Sequence, residues 1–125
     1  MSGEVITYLT GAILITAVVP VGRADDILRA ARDLGALGGI VHLARGTGAR
    51  ERLGLLGIAV EAEKDVVNIM VAAEHQELIC EAIYRAGELH VLGGGYLYIT
   101  NLEKVATYVP QQALERLQKN VKETE

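Results

Sequence analysis

Two strand–helix–strand stretches follow one another along this chain, each helix ends at a glycine, and each second strand is entered through a glycine-rich turn. Those observations predict an α+β fold in the order βαββαβ, the ferredoxin-like sandwich, with four antiparallel strands and both helices on one face. Length and composition agree. A chain of 125 residues, 50% of them hydrophobic, is the size of one domain and can bury a core. Tyrosine is the only aromatic residue, so that core falls to Ile, Val, Leu and Ala, which suits interleaved layers of sheet and helix.

Residues 1–11 are a short N-terminal extension. Residues 12–19 read Ala-Ile-Leu-Ile-Thr-Ala-Val-Val, a β-branched apolar run closed by Pro20, and predict a buried first strand. Asp25 and Asp26 stand where a helix N-terminus favours acid, Ile27, Ala31 and Leu34 recur at i, i+4 and i+7, and Gly35 follows. The first helix therefore spans about residues 24–34. Gly38 and Gly39 lead into a second strand, residues 40–44, which stops at Arg45-Gly46-Thr47-Gly48. From Gly48 to Lys64 neither a helical nor a strand period holds: Leu53, Leu55, Leu56, Ile58 and Val60 are broken by Gly54 and Gly57, and the segment predicts a long loop.

A third strand is expected over residues 65–71. The second helix, residues 74–86, carries Ile79, Ala82, Ile83 and Ala86 on one face, and Gly87 closes it as Gly35 closes the first. Gly93-Gly94-Gly95 precede the last strand, residues 96–101. Beyond Pro110, Leu114, Leu117 and Val121 at i, i+3 and i+7 predict a short C-terminal helix within residues 110–125. The domain proper is thus residues 12–109.

The composition also excludes. A net charge of −4 without a block of basic residues, and no aromatic stacking platform, argue against a nucleic-acid partner. Cys80 is the single cysteine, so neither a disulfide nor a CxxC pair is available, which fits a reducing compartment. The uncharged stretch from Val5 to Val21 is interrupted by Gly11 and Pro20, and Glu4 stands where a signal peptide wants positive charge. A soluble, cytoplasmic protein is expected. His42, His75 and His90 lack the spacing of zinc ligands, and Glu74, Glu77 and Glu88 are paired with no nucleophile. No catalytic constellation emerges, so no enzyme and no metal site are expected. Ile, Val and Leu recur on both faces of the strands, which leaves an apolar sheet face for oligomerisation to cover.

Two glycine clusters sit at chemically useful places: Gly46-Thr47-Gly48 at the end of the second strand and Gly93-Gly94-Gly95 before the fourth. Glycine lets backbone N–H groups face an anion, and it is equally the usual residue of a tight turn. Neither cluster has Walker or Rossmann spacing.

With these clusters set in the βαββαβ order, residues 12–109 resemble the PII signalling family, in particular its divergent PII-like branch. Gly46-Thr47-Gly48 stands where the family has the Gly-x-Gly at the base of its long T-loop, Lys64 where that loop returns, and residues 92–95 where it has a short B-loop. The resemblance implies a homotrimer in signal transduction and nitrogen regulation, with no tightly bound cofactor. It implies an adenine nucleotide as regulatory ligand in the clefts between subunits. Gly46, Thr47, Gly48 and Lys64 would come from one subunit, with Gly93, Gly94 and Gly95 completing the cleft from the neighbour. The T-loop, about residues 48–64, would then act on a membrane transporter or a metabolic enzyme through Leu53, Leu55, Leu56 and Ile58.

The departures carry meaning too. Tyr96 replaces the family's B-loop lysine, and Thr107 and Val109 fall where its C-loop arginines stand, which favours ADP, AMP or a related adenylate over ATP. Arg45 and Arg50 flank the first cluster and are candidates to replace that charge. The T-loop glutamine corresponds to Arg50, so 2-oxoglutarate sensing is not implied. With no Tyr or Ser between Gly48 and Lys64, control by ligand alone remains. Two alternatives stay open: a structural or interaction trimer without ligand, and a metal-responsive trimer like the CutA proteins that uses His42 or His90 across an interface.

Overall fold

Every second residue of the first long strand, Ile13, Ile15, Ala17 and Val19, is buried, and this apolar stripe organises the fold. The computed structural model describes residues 6–36, 38–46 and 62–108. In chain order the elements are β1 (Tyr8–Leu9), β2 (Ala12–Pro20), α1 (Ala24–Asp33), β3 (Gly38–Gly46), β4 (Ala62–Ala72), a 3-10 turn (Ala73–His75), α2 (Gln76–Ala86), β5 (Tyr96–Asn101) and β6 (Val105–Ala106). Strands β2 to β5 form one sheet in the order β3-β4-β2-β5 with every neighbouring pair antiparallel. With α1 and α2 between them, this is the expected ferredoxin-like βαββαβ arrangement.

Register decides the two faces, because residues directly opposite one another share a face. Ile15 lies between Ile69 and Ile99, and Ala17 between Val67 and Leu97. Ile13, Ile15, Val19, Val67, Ile69 and Val71 pack with Ile27 and Ala31 of α1 and Ile79 and Ile83 of α2. Burying side chains of this size contributes about 1.5–3 kcal/mol each, the main source of stability. The other face carries Leu14, Thr16 and Val18 of β2, Val66, Asn68 and Met70 of β4, Ile40 and His42 of β3, and Tyr96, Tyr98 and Thr100 of β5. Neither helix covers it, and Ile40, Tyr96 and Tyr98 are exposed. At its centre the Thr16 hydroxyl donates to Asn68 Oδ1 at 2.8 Å, so the buried hydroxyl has its partner.

The structure corrects five local expectations. Gly38 and Gly39 are not a turn before the second strand but its first residues, paired with Met70 and Ile69, and this strand runs on past residue 44 to Gly46. Residues 62–64 are strand, not the end of a loop, because β4 stays paired with β3 as far as Gly46 opposite Ala62. The second helix starts as the 3-10 turn at residues 73–75. Gly35 closes α1 with φ +91°, but Gly87 has φ −84°, and the positive φ passes to Glu88. Gly87 serves packing instead: a Cβ there would lie 2.9 Å from Ile27 Cδ1, where the two helices touch. Finally, the N-terminal extension contains β1, which pairs with β6, Tyr8 opposite Ala106 and Leu9 opposite Val105. The expected C-terminal helix lies outside the described residues, as do residues 48–61 of the expected loop.

Candidate functional site

Alternating strand direction brings the end of β2, the end of β3, the start of β4 and the start of β5 to one edge of the sheet. Lys64 is opposite Ala44 on one side and Pro20 on the other, and Tyr96 is opposite Val18. Adjacent strands lie about 4.8 Å apart and each residue adds about 3.3 Å along a strand, so the start of β5 is about 12 Å from the Lys64 backbone and about 20 Å from Gly46. Lys64 shares the helix-free face with Val66 and Asn68. One chain thus brings Gly46, Lys64 and the 93–95 turn to a single sheet edge. The reason is topological: in a βαββαβ sheet the second strand ends and the fourth begins at the same edge.

The connection from α2 to β5 is a series of tight turns. Leu89 N–H donates to the Tyr84 carbonyl at 3.0 Å, Val91 N–H to the Glu88 carbonyl at 3.1 Å, and Gly94 N–H to the Val91 carbonyl at 2.8 Å. A Cβ at Gly94 would lie 2.2 Å from the Glu88 carbonyl oxygen, and one at Gly95 only 2.1 Å from that of Val18. Close backbone approach therefore requires both glycines, and Gly94 has already committed its N–H to the turn.

Charge at this edge is mixed. Gly22 N–H donates to Asp65 Oδ2 at 3.1 Å, tying the β2–α1 turn to β4. Next to it, Arg23 Nη1 donates to Glu88 Oε2 and joins that turn to the α2–β5 connection. Arg45 stands opposite Glu63 in the ladder. Arg23, Arg45 and Lys64 are thus set among Asp25, Asp26, Glu63, Asp65 and Glu88, a balance that suits a ligand of few negative charges better than a polyphosphate. The sequence reading passes over Arg23 and dismisses Glu88. Their signal, an acidic residue directly after a helix-ending glycine, has no meaning until the fold brings Arg23 to it.

Beside Gly95 a groove of about 540 Å³ opens between α2 and β5, lined by Cys80, Glu81, Tyr84, Leu89, Tyr96 and Leu97. Burial pushes the Cys80 thiol pKa up. Of the other expected site residues, Thr47, Gly48, Arg50, Leu53, Leu55, Leu56 and Ile58 lie outside the described residues. His42 is on the helix-free face of β3, and the His90 ring lies 6.3 Å from that of Tyr84. Among the described residues no three His, Cys, Asp or Glu side chains gather as metal ligands would, and no helix is long and apolar enough to cross a membrane.

Among solved structures, the chain is similar to a PII protein of Arabidopsis thaliana bound to citrate, with a TM-score of 0.64 and 18% identity over 83% of this chain and 92% of that one. It is similar also to a DUF3240 family protein of Shewanella baltica, with a TM-score of 0.62 and 14% identity over 81% of this chain and all of the other. No protein-family profile matches the chain, and no curated protein matches it. At these identities the likeness establishes the fold, the ferredoxin-like fold of PII proteins.

Proposed function

We propose that this chain is a PII-like signalling protein that binds an adenine nucleotide at the sheet edge shared by β3, β4 and β5. The observation that supports the reading is that Gly46, Lys64 and the 93–95 turn stand at that one edge. Lys64 is assigned to the phosphate, with Gly46, Thr47 and Gly48 on one flank and the 93–95 turn on the other. Tyr96 in place of a lysine, and the surrounding carboxylates, favour ADP or AMP over ATP. The apolar helix-free face, with Leu14, Val18, Ile40, Met70 and Tyr98, is the face we assign to a homotrimer, which would set each site beside a neighbouring subunit.

Signalling then runs through residues 48–64 to a membrane transporter or metabolic enzyme, with no catalysis and in the cytoplasm. Nucleotide acts by binding two states of that segment with different affinity, since a ligand shifts an equilibrium only by its differential affinity. Calorimetry of the wild type and Lys64→Ala against ATP, ADP, AMP and cyclic AMP tests this. ADP or AMP binding is expected, weakened about tenfold or more by Lys64→Ala, the scale for losing a charged hydrogen-bond donor. No heat from any of the four at millimolar concentration overturns the reading.

One observation favours a second reading, an interaction trimer without ligand: Gly94 and Gly95 are already required by backbone packing. That reading predicts a thermal midpoint that nucleotide does not move.

A further inference from the structure

Glu88 is the only described residue other than glycine with a positive φ, +54°. The left-handed region is one that Gly, and to a lesser degree Asn and Asp, enter readily, and a glutamate stays there only when its surroundings hold it. A glycine stands one residue earlier, yet it has φ −84°, and a Cβ there would lie 2.9 Å from Ile27 Cδ1. The backbone bonds that close α2, Glu88 N–H to the Arg85 carbonyl and Leu89 N–H to the Tyr84 carbonyl, set that conformation, and Arg23, 65 residues away in sequence, adds the side-chain contact that ties it to the β2–α1 turn. Arg23 follows Gly22, whose N–H is tied to Asp65, the neighbour of Lys64. The nearby Arg85 is bound to Glu81 at 2.7 Å and so is engaged elsewhere.

The Glu88 backbone is the foundation of the turn that follows. Its carbonyl accepts from Val91, whose own carbonyl accepts from Gly94, and the Gly94 Cα lies so close to the Glu88 carbonyl that no side chain fits between them. Moving Glu88 out of its conformation moves all three residues.

We infer that Arg23 and Glu88 are a clamp that positions the 88–95 turn relative to the Lys64 end of β4. Both are positioning residues. The clamp stands on this geometry alone, whereas its effect on ligand affinity rests on the nucleotide reading above.

Amide hydrogen exchange on the full chain by NMR tests it, comparing wild type with Arg23→Ala, Glu88→Ala and Arg23→Lys. In the two alanine variants the amides of Leu89, Val91 and Gly94 are expected to exchange about fivefold faster, the scale for a partly exposed ion pair. Those of Val67 and Ile69 in the core should hold their rates, and Arg23→Lys, which keeps the charge, should stay near wild type. Unchanged turn amides in Arg23→Ala overturn the clamp, and so does an equal acceleration through the core, which would mark a general loss of stability. Titration of the same proteins with ADP and AMP gives the functional arm, with affinity in Arg23→Ala expected to fall several-fold; an unchanged affinity removes the clamp's role at the ligand site. If the wild type binds neither nucleotide, the functional reading fails while the exchange rates still decide the clamp.

Discussion

Gly95→Ala is the sharpest test of how the turn joins the sheet. The substitution meets two penalties. With φ at +104°, an alanine is held where L-residues rarely go, which costs about 1–2 kcal/mol. The new methyl would also lie 2.1 Å from the Val18 carbonyl oxygen and 3.0 Å from Val19 Cα. Both atoms belong to the central strand β2, which is paired on both sides, so β5 has to move instead. That opens its first pair, Tyr96 opposite Val18, at about 1 kcal/mol for each ladder hydrogen bond lost. The sum is about 3 kcal/mol, a large share of the 5–15 kcal/mol typical of a domain. Gly11→Ala is the control, because its φ is +76° and nothing lies within 4 Å of the added methyl, so only the conformational cost of about 1 kcal/mol applies. Urea unfolding at one protein concentration, with equal m-values, measures both. A thermal midpoint lower by about 10 °C for Gly95→Ala and about 4 °C for Gly11→Ala corresponds to these costs. Losses that agree to within about 0.5 kcal/mol would refute the close-approach argument.

Two further outcomes are expected. Gly87→Ala places a methyl 2.9 Å from Ile27 Cδ1 and should cost about 1–3 kcal/mol by overpacking; Ile27→Val removes that carbon, so the double variant should lose less than the sum of the singles in urea unfolding, and strict additivity would count against the contact. The raised pKa of Cys80 means that the folded chain keeps a thiol proton that the unfolded chain gives up, so this group's contribution to stability is constant below the unfolded thiol pKa and is lost as pH rises above it. Alkylation rate against pH should therefore show a higher midpoint for the folded protein than for the protein in urea, and a midpoint at or below the unfolded value would show that burial is not governing the thiol.

The long elements could be read from the chain because each has a period that burial enforces. Ile13, Ile15, Ala17 and Val19 alternate toward one layer, and Ile27 with Ala31, like Ile79 with Ile83, returns to one helical face. Strand β1 and its partner β6 have no such pattern. Two residues make no period, and what pairs them is proximity once β2 and β5 are in place. The start of β4 was hidden for the opposite reason. Its Glu63-Lys64-Asp65 run has the composition of a loop, yet β3 pairs through it to Gly46, and β2 reaches Lys64. Charged residues are tolerated there because the strand ends lie past the buried core, where side chains reach water.

Glycine misled the reading most, and the cause bears on function. A glycine in a sequence marks a place where a Cβ is unwelcome, without saying whether the obstacle is a φ angle, a neighbouring atom or a ligand. Gly35 answers with φ, Gly87 with Ile27, and Gly94 with a carbonyl. The 93–95 turn would therefore need most of its glycines even in a protein that binds nothing, and a glycine-rich turn is weak support for an anion site. The stronger support is positional. Lys64 stands two strands from that turn on the same sheet edge, and no local pattern in the chain reveals this, because the closeness exists only after β2 has inserted between β4 and β5. It follows that Lys64→Ala should be the more discriminating variant for ligand affinity, and Gly94→Ala, which breaks the turn whether or not a ligand binds, the less informative one.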